Sequence, residues 1–280
     1  MRYLKIKLFL GVVVIIMCLT SCRKDNDSES GFASGEGSVA KYLFDAVKDE
    51  VDQQLNLQGN LNGIRDDNTA EPRGGCATVS ISPLGIVFPK VVNITFPQGC
   101  KTFAGAEIEG TSVININGKV RENGSIATFS LNNFLYKGYK LSGDYVVTFI
   151  GINSHTTVIN NGKIITPDNR IISYSASNSA AQIEGMLTTF KTHPFTFLQD
   201  DVYEITSESM GINSKGHHFS MATTGPLVYS VDCQWITSGT ISITEAIRPN
   251  VKISFDYGDG ICDNKAQLTI NNTSTTITLP

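Results

Sequence analysis

Alternation of apolar and polar residues dominates the chain from Cys76 onward. Val251, Ile253 and Phe255 alternate with polar neighbours, and the same pattern recurs around Tyr145 and Phe219. A period of two predicts strands with one buried face. Turn signals separate these runs: Asn117-Gly118, Asn123-Gly124, Ser142-Gly143, Asn161-Gly162, Lys215-Gly216 and Asp259-Gly260. We therefore expect a mainly β domain over residues 76–280, with an antiparallel sheet arranged as a sandwich or an elongated meander.

One segment near the N-terminus has helical periodicity instead. Its apolar residues recur every four positions, from Val39 to Leu55, with Ser38 as a plausible N-cap and Gly59 placed to end the helix. The opposite side carries Lys41, Asp45, Lys48, Asp49, Asp52 and Gln53. The pattern predicts one amphipathic helix over residues 38–58, packed on the sheet through its apolar face.

The first residues have the organisation of an export signal. Arg2, Lys5 and Lys7 precede an apolar run that is too short to span a bilayer, and the run ends in Leu-Thr-Ser before Cys22. This order resembles the lipobox of bacterial lipoproteins and predicts a signal peptide at residues 1–21 with lipidation of Cys22. The alternative is an ordinary signal peptide that contains a cysteine. Acyl chains on Cys22 would anchor the protein to the membrane.

Residues 22–37 are rich in acidic, Gly and Ser residues and predict a flexible tether. Arg23 and Lys24, followed by acidic residues, resemble the surface-export signal of Bacteroidetes lipoproteins, whereas the plainer interpretation is a solvated linker. We expect an outer-membrane, lipid-anchored protein, with exposure on the cell surface as a possible extension.

Two short segments of the β domain resemble each other. Residues 92–100 and 251–262 each run from a strand through a glycine turn into cysteine. This echo raises the hypothesis of two related halves, at about 76–165 and 166–280. It also favours disulfides Cys76–Cys100 and Cys233–Cys262, which close a loop within each half, out of three connectivities. A zinc site and free thiols are the alternatives.

Net charge argues against nucleic-acid binding. The chain carries a formal charge of -4, and removal of Arg2, Lys5 and Lys7 with the leader lowers it to about -7. Charged residues make up 17% of the chain, below the ~25% typical of soluble domains. Glycine and small polar residues take their place, as expected for a sheet protein with many turns.

Few residue patterns point to catalysis. Ser38 and Lys41 match S-x-x-K, but the companion motifs of penicillin-recognising serine enzymes are absent from the sequence. His217 and His218 are neighbours on a predicted strand, where they point to opposite faces and cannot readily share a metal. No cofactor is therefore expected.

Three weaker candidates involve acidic or aromatic residues. Asp256, Asp259 and Asp263 surround glycines and form a weak calcium candidate, against the simpler interpretation of a hairpin turn capped by Asp. The adjacent pair Asp200-Asp201 could serve glycoside hydrolysis only at a suitable separation, and it resembles a turn that enters a strand. Trp235 stands near Cys233, and packing on a disulfide is favoured over stacking on a sugar.

Several segments together resemble uncharacterised lipoproteins of gut and oral Bacteroidetes. The resemblance rests on the lipobox and on these segments: Phe44-Asp45-Ala46-Val47, Cys76-Ala77-Thr78-Val79, residues 96–100, Gly225-Pro226-Leu227, residues 233–236 and residues 256–266. These motifs are structural and carry no catalytic residue. The resemblance implies a location in the cell envelope.

The sequence leads to a functional hypothesis of binding rather than catalysis. We expect a non-catalytic binding or scaffolding module at the outer membrane, with the membrane as one partner and a glycan or protein as ligand. The alternatives are a pilus-like adhesin or assembly subunit, and a glycan hydrolase that uses unrecognised carboxylates.

Overall fold

The computed structural model describes residues 27–56, 58, 61, 76–102, 105–188, 199–233 and 235–279, and side chains of the N-terminal helix from Gly35 onward. The predicted signal peptide and the lipidation site at Cys22 lie outside the described residues.

The described part of the chain forms one long helix followed by fourteen strands. The helix α1 is Asp27–Asn56. The strands are β1 Thr78–Ser82, β2 Lys90–Phe96, β3 Ile108–Ile116, β4 Ile126–Tyr136, β5 Tyr139–Phe149, β6 Ser154–Ile165, β7 Ile171–Glu184, β8 Val202–Ile212, β9 His218–Thr223, β10 Leu227–Ser230, β11 Ile236–Glu245, β12 Ile253–Asp259, β13 Lys265–Ile270 and β14 Thr273–Thr278. The predicted class, a mainly β antiparallel protein with one N-terminal helix, is confirmed.

All the strands belong to one antiparallel sheet. From β1 to β8 each strand pairs with the next along the chain, and the same holds from β10 to β14. The short strands β9 and β10 both bridge β8 and β11, β9 at one end of β8 and β10 at the other. The architecture is therefore a meander with one local branch.

The predicted division into two halves does not follow the sheet. It falls between β6 and β7, which pair along most of their length, from Ser154↔Ala181 to Ile165↔Ile171. Ladder hydrogen bonds and a shared core run across this point, so the strands on either side form a continuous structure. The echo between residues 92–100 and 251–262 corresponds to the β1–β2 and β11–β12 hairpins, and the relation between two halves of the domain stays a prediction.

Both disulfides close the open end of a hairpin, as predicted. Cys76 precedes β1 and Cys100 follows β2, and the two are bonded with a Cα–Cα distance of 5.4 Å. Cys233 precedes β11 and Cys262 follows β12, with a Cα–Cα distance of 5.8 Å. Each bond closes a loop of a size that stabilises a fold by ~3 kcal/mol in the chain-entropy model.

The helix begins earlier than its sequence pattern indicates. It starts at Asp27, so it occupies most of the predicted tether at residues 22–37, and Ser38 lies inside it rather than at its N-cap. The glycines that favoured a flexible tether have a packing role in at least one position. A Cβ on Gly37 would lie only 2.9 Å from the Phe219 ring, so this glycine lets α1 approach β9 closely.

The sheet encloses the helix rather than packing on one side of it. Between Gly35 and Leu55 every side chain is buried or partly buried. The apolar side of α1 contributes Leu43, Phe44 and Val47 to a core that extends from β2 to β13. Register shifts between successive strands from β3 to β7 mark bulges, which bend a sheet and increase its twist.

Phe44 is the centre of the contact between helix and sheet. Its ring stacks on Tyr174 of β7 at 5.2 Å between centroids, and the Tyr145 hydroxyl of β5 donates a hydrogen bond of 2.9 Å to its backbone carbonyl. The ring sits over Gly143 and Gly162, where an added Cβ would come within 3.3 and 3.0 Å of it. The sequence pattern assigned these two glycines to turns, and that prediction is wrong. Gly143 lies within β5 and Gly162 within β6. A glycine is needed at each position because the Phe44 ring of the helix occupies the space that a side chain would fill.

Candidate binding cavity

A cavity of about 330 Å³ lies between one side of α1 and the sheet. Its volume is at the lower end of the ~300–1,000 Å³ typical of ligand pockets. The lining comes from α1 and from strands β6, β7, β8 and β10 to β14, together with Trp235 just before β11. We call this space the helix cavity.

The wall opposite the helix is apolar. Its side chains come from the C-terminal strands and their approach: Trp235, Ile236, Phe255, Leu268, Ile277 and Leu279. The four consecutive strands β11 to β14 each contribute one of these residues: Ile236, Phe255, Leu268 and Ile277. Their side chains share one face of the sheet because every second side chain along a strand points the same way. The cavity therefore offers a continuous surface suited to an apolar ligand body.

The helix side of the cavity is charged. Lys41, Asp45, Lys48 and Asp49 line it, and Asp52 lines an adjoining cavity of about 110 Å³ toward the C-terminal end of α1. We call these five residues the charged helix face. The two cavities share six lining residues, which are Lys48, Asp49, His155, Ala180, Ile205 and Tyr229. An apolar wall thus faces a charged one across a common space.

Both lysines of the charged helix face form ion pairs one turn along the helix. Lys41 Nζ lies 2.6 Å from Asp45 Oδ2, and Lys48 pairs with Asp52 in the same way. Asn178 of β7 adds a 3.4 Å hydrogen bond to Asp45. Although burial lowers the pKa of the Lys48 ammonium, the carboxylates of Asp52 and Asp49 outweigh it and raise that pKa above its usual value. The ammonium of Lys48 is thus held in its charged form.

Enclosure strongly affects the carboxyl group of Asp49. Burial raises the pKa of its carboxyl to about 7, and the neighbouring carboxylates of Asp45 and Asp52 act in the same direction, while Lys48 opposes them. The Tyr229 hydroxyl of β10 lies beside it, and burial together with the Asp49 carboxylate raises the pKa of that phenol. An acidic group that is costly to ionise therefore faces the helix cavity at neutral pH.

His155 of β6 completes this part of the cavity as a neutral group. Its Nε2 lies 3.3 Å from Lys48 Nζ. Burial and the adjacent lysine lower the pKa of the imidazole to about 3. A neutral ring nitrogen can accept a hydrogen bond from the ammonium, whereas a protonated one would repel it.

A second buried charge network stands at the smaller cavity. The Asp201 carboxylate is 1% exposed and accepts hydrogen bonds from Gln182 Nε2 at 2.6 Å, Arg121 Nη2 at 3.1 Å and the Tyr203 hydroxyl at 3.1 Å. Three donors and one formal countercharge satisfy this carboxylate. Its partners connect the β7–β8 region to the turn before β4, so the network has a structural role.

The structure separates the carboxylates of the glycosidase candidate. Asp200 is exposed and accepts a 2.7 Å hydrogen bond from the Thr188 hydroxyl, whereas Asp201 is buried in the network with Arg121. The pair directly precedes β8, in agreement with a turn that enters a strand.

The calcium candidate forms hydrogen bonds within its own turn. Asp256 Oδ1 accepts from the Gly258 amide and Asp263 Oδ1 from the Lys265 amide, both at 2.9 Å. Asp259 is exposed at the end of β12. Among the residues that the structure describes, no group of three or more His, Cys, Asp or Glu side chains could hold a metal ion. Two of the three aspartates thus take the positions of turn caps.

The remaining candidates lie in different parts of the fold. His218 is exposed at the start of β9 and His217 is partly buried just before it. Trp235 lines the helix cavity, and Ser38 and Lys41 line it as well. Lys41 forms an ion pair with Asp45.

Sequence reasoning identified the charged helix face but assigned it to the side away from the sheet. It did not single out His155, Tyr229 or Arg121 as parts of a site. The charge of the helix is the property of the sequence that could have indicated the cavity. Five charged side chains on a helix within a domain need contact either with solvent or with an internal polar space.

No protein-family model, curated protein or solved structure matches the chain. The resemblance to Bacteroidetes lipoproteins therefore stays a prediction from the sequence. Within the described part of the chain, the helix lacks the length of apolar sequence that crossing a bilayer requires.

Proposed function

We propose that this protein is a lipid-anchored, non-catalytic binding protein of the cell envelope and that its ligand occupies the helix cavity. The observation that carries the proposal is the 330 Å³ space between an apolar wall and a charged helix face. The leader and Cys22 support an anchor at the outer membrane, and two disulfides are compatible with a compartment outside the cytoplasm.

The lining favours a small amphipathic molecule. The wall that includes Trp235, Phe255 and Leu268 would remove the apolar part of a ligand from water, at roughly 25 cal/mol for each Å² buried. The charged helix face would orient its polar end. A folded protein would need a larger contact surface than a space of about 330 Å³ provides.

The pairing of charges favours binding over catalysis. A general acid or base needs a group that can exchange its proton with a substrate. In the cavities, Lys41, Lys48 and Arg121 are each held by a carboxylate, and His155 is kept neutral. Asp49, with its pKa of about 7, is the one carboxyl of the charged helix face placed to exchange a proton, and the paired charges around it suit electrostatic orientation of a ligand.

Tryptophan fluorescence provides a direct test, because the chain contains a single tryptophan and it lines the cavity. The mature chain, residues 22–280 with Cys22→Ser so that no lipid is attached, would be titrated with octylamine, octanoate and octanol. We expect at least one of them to shift or quench the Trp235 emission with saturation at one molecule per protein.

Two matched variants distinguish the cavity from the surface. Ala46→Phe adds a ring to the cavity from α1 and is expected to abolish saturation. Thr276→Phe adds the same ring at an exposed position of β14 and is expected to leave it unchanged. The proposal is wrong if none of the three probes changes the Trp235 emission. It is also wrong if Ala46→Phe binds a probe as tightly as Thr276→Phe does.

An assembly role has one specific observation in its favour. The edge strands β1 and β14 each pair with a single neighbour in the described sheet, so each has a side with unpaired backbone groups. An exposed edge can accept a strand from another chain. Sedimentation of the mature chain at increasing concentration tests this second candidate, since ordered self-association is expected only if an edge is used.

A further inference from the structure

We infer that the ligand carries a positively charged amine joined to an apolar body, and that the Asp49 carboxylate binds the charge. This inference rests on the proposed binding function and adds the chemical class of the ligand. It follows from the balance of charges around the helix cavity, the position of Asp49 within it and the rings that line it.

The charged helix face contains one more acidic than basic group. Its two lysines are taken by Asp45 and Asp52, each at the i+4 position. Asp49 is the third carboxylate, and no ion pair joins it to another of the described residues. The Tyr229 hydroxyl beside it supplies a hydrogen-bond donor but no charge.

The other walls do not supply the missing cation. Arg121 of the smaller cavity is bound to Asp201 at 3.1 Å. His155 is neutral, since burial and Lys48 lower its pKa to about 3. The described lining therefore has a net negative charge when Asp49 is ionised, and a ligand ammonium would neutralise it.

Aromatic rings add a second reason to favour a cation. Tyr229, Trp235 and Tyr257 line the same cavity as Asp49, whereas the ring of Tyr42, which also lines it, already has the Lys137 ammonium 5.0 Å from its centroid. The face of an aromatic ring attracts a cation and repels an anion, with the strongest effect for tryptophan. A carboxylate combined with several rings suits a primary or quaternary ammonium group, whereas an alkyl carboxylate would meet repulsion from Asp49.

Ionisation of Asp49 should couple binding to pH. Burial raises the pKa of its carboxyl to about 7, so an ammonium ligand must bind the deprotonated form and lose affinity as the pH falls below that value. The titratable or charged groups around Asp49 are Asp45, Lys48, Glu50 and Asp52 of α1, Tyr136 of β4, Tyr145 of β5, His155 of β6, Tyr203 of β8 and Tyr229 of β10. Lys41 in the helix cavity and Arg121 and Asp201 in the smaller cavity complete the set. His155 is neutral throughout this range, and Lys48 stays charged.

The test compares eight-carbon probes that differ only in the head group. The mature chain with Cys22→Ser is titrated with octylamine, octyltrimethylammonium, octanol and octanoate at about pH 8, with Trp235 emission and calorimetry as readouts. We expect one or both ammonium probes to bind at least ~10-fold more tightly than octanoate, the scale of a hydrogen-bonded charge. The difference between the two ammonium probes shows whether a primary or a quaternary amine is preferred.

An isosteric variant assigns the effect to one carboxylate. Asp49→Asn should lower the affinity for the preferred ammonium probe about tenfold and leave octanol binding unchanged, whereas Asp256→Asn on the exposed part of β12 should change neither. Octanoate that binds as tightly as the ammonium probes would overturn the inference but leave the proposed binding function intact. Equal losses of octanol and ammonium binding in Asp49→Asn would also overturn it. Failure of every probe to change the Trp235 signal would instead contradict the binding function itself.

Discussion

At the scale of single residues, the main feature is a set of ionisable side chains enclosed by the sheet. Asp49 faces the helix cavity, and the adjacent Glu50, which does not line that cavity, is 8% exposed. Burial raises the pKa of both carboxyl groups to about 7. The free energy of unfolding is therefore lowered at pH values where these groups ionise. A structural role alone does not explain this loss of stability. A ligand cation bound at Asp49 would offset it.

The first prediction concerns the pH dependence of stability in Asp49→Asn. The folded pKa of Asp49, about 7, exceeds the ~3.9 of an unfolded chain, so the folded state binds more protons between these values. Its contribution to stability is present below about pH 4 and is lost as the pH rises to about 7. Asparagine cannot ionise, and we expect the variant to be more stable than the wild type by about 1–2 kcal/mol at pH 8, allowing for partial exposure of the side chain.

Urea denaturation at about pH 4 and pH 8 measures this effect. The advantage of Asp49→Asn should shrink to near zero at the lower pH, where the wild-type carboxyl is already protonated. Asp259→Asn, at an exposed position on β12, is the control and should show no such dependence. A stability difference for Asp49→Asn that is the same at both pH values would contradict the prediction.

At the scale of elements, the two disulfides close equivalent hairpins in different surroundings. The β1–β2 hairpin lies at one edge of the sheet. The β11–β12 hairpin carries Ile236 and Phe255 of the helix cavity, and its cysteine Cys233 lies two positions before Trp235. The same covalent device therefore stabilises an edge in one case and the wall of the cavity in the other.

The second prediction compares removal of the two disulfides. The bonded cysteines are separated by 24 and 29 residues, so each double Cys→Ser variant should lose a similar ~3 kcal/mol of stability in the chain-entropy model. Only the Cys233→Ser/Cys262→Ser variant should shift the Trp235 emission to longer wavelength, because the hairpin end beside this ring is then free to admit water. The Cys76→Ser/Cys100→Ser variant is the matched control, and an equal shift in both variants would show that the bond at Cys233 has no local effect on the cavity.

Elements were predicted from the sequence where a local pattern is sufficient. Period-two alternation identified strands such as β5 and β12, and the strand-turn-cysteine echo led to both disulfide pairs. The glycines of Ser142-Gly143 and Asn161-Gly162 were wrongly assigned to turns. A tight turn and a close contact with a distant ring both favour a residue without a side chain, so the sequence does not distinguish them. The space that Phe44 fills is a tertiary property, and no neighbouring residue indicates it.

At the scale of the whole molecule, a helix with charges on one side is enclosed by a sheet and follows residues whose sequence predicts a lipoprotein leader. The sequence pattern placed the charged helix face toward solvent, since an amphipathic helix usually packs through one face. The lining of the cavity was not predictable from a local pattern, because its apolar wall comes from strands near the other end of the chain. Asp49 of α1 and Tyr229 of β10, for example, lie beside each other in the cavity although they are far apart in the sequence.

The third prediction concerns membrane attachment through Cys22. The basic, apolar and Leu-Thr-Ser-Cys order of the leader predicts acylation of its thiol, so Cys22→Ser should abolish membrane retention. The measurement is partition of the protein between membrane and soluble fractions after a carbonate wash. Cys18→Ser, which changes a cysteine four residues earlier in the leader, should remain with the membrane. Retention of Cys22→Ser in the membrane fraction would show that the anchor lies elsewhere.

Enclosure of α1 by strands that follow it has a consequence for biogenesis. The helix is synthesised first, while β10 to β14, which complete the helix cavity, emerge last. During that interval the charged helix face keeps the segment hydrated, whereas a helix apolar on all sides would be exposed to aggregation. Contacts as distant in sequence as Asp49 with Tyr229 also make folding slow, on the order of milliseconds to seconds. The lysines and aspartates that line the finished cavity thus also keep the nascent protein soluble until its last strand arrives.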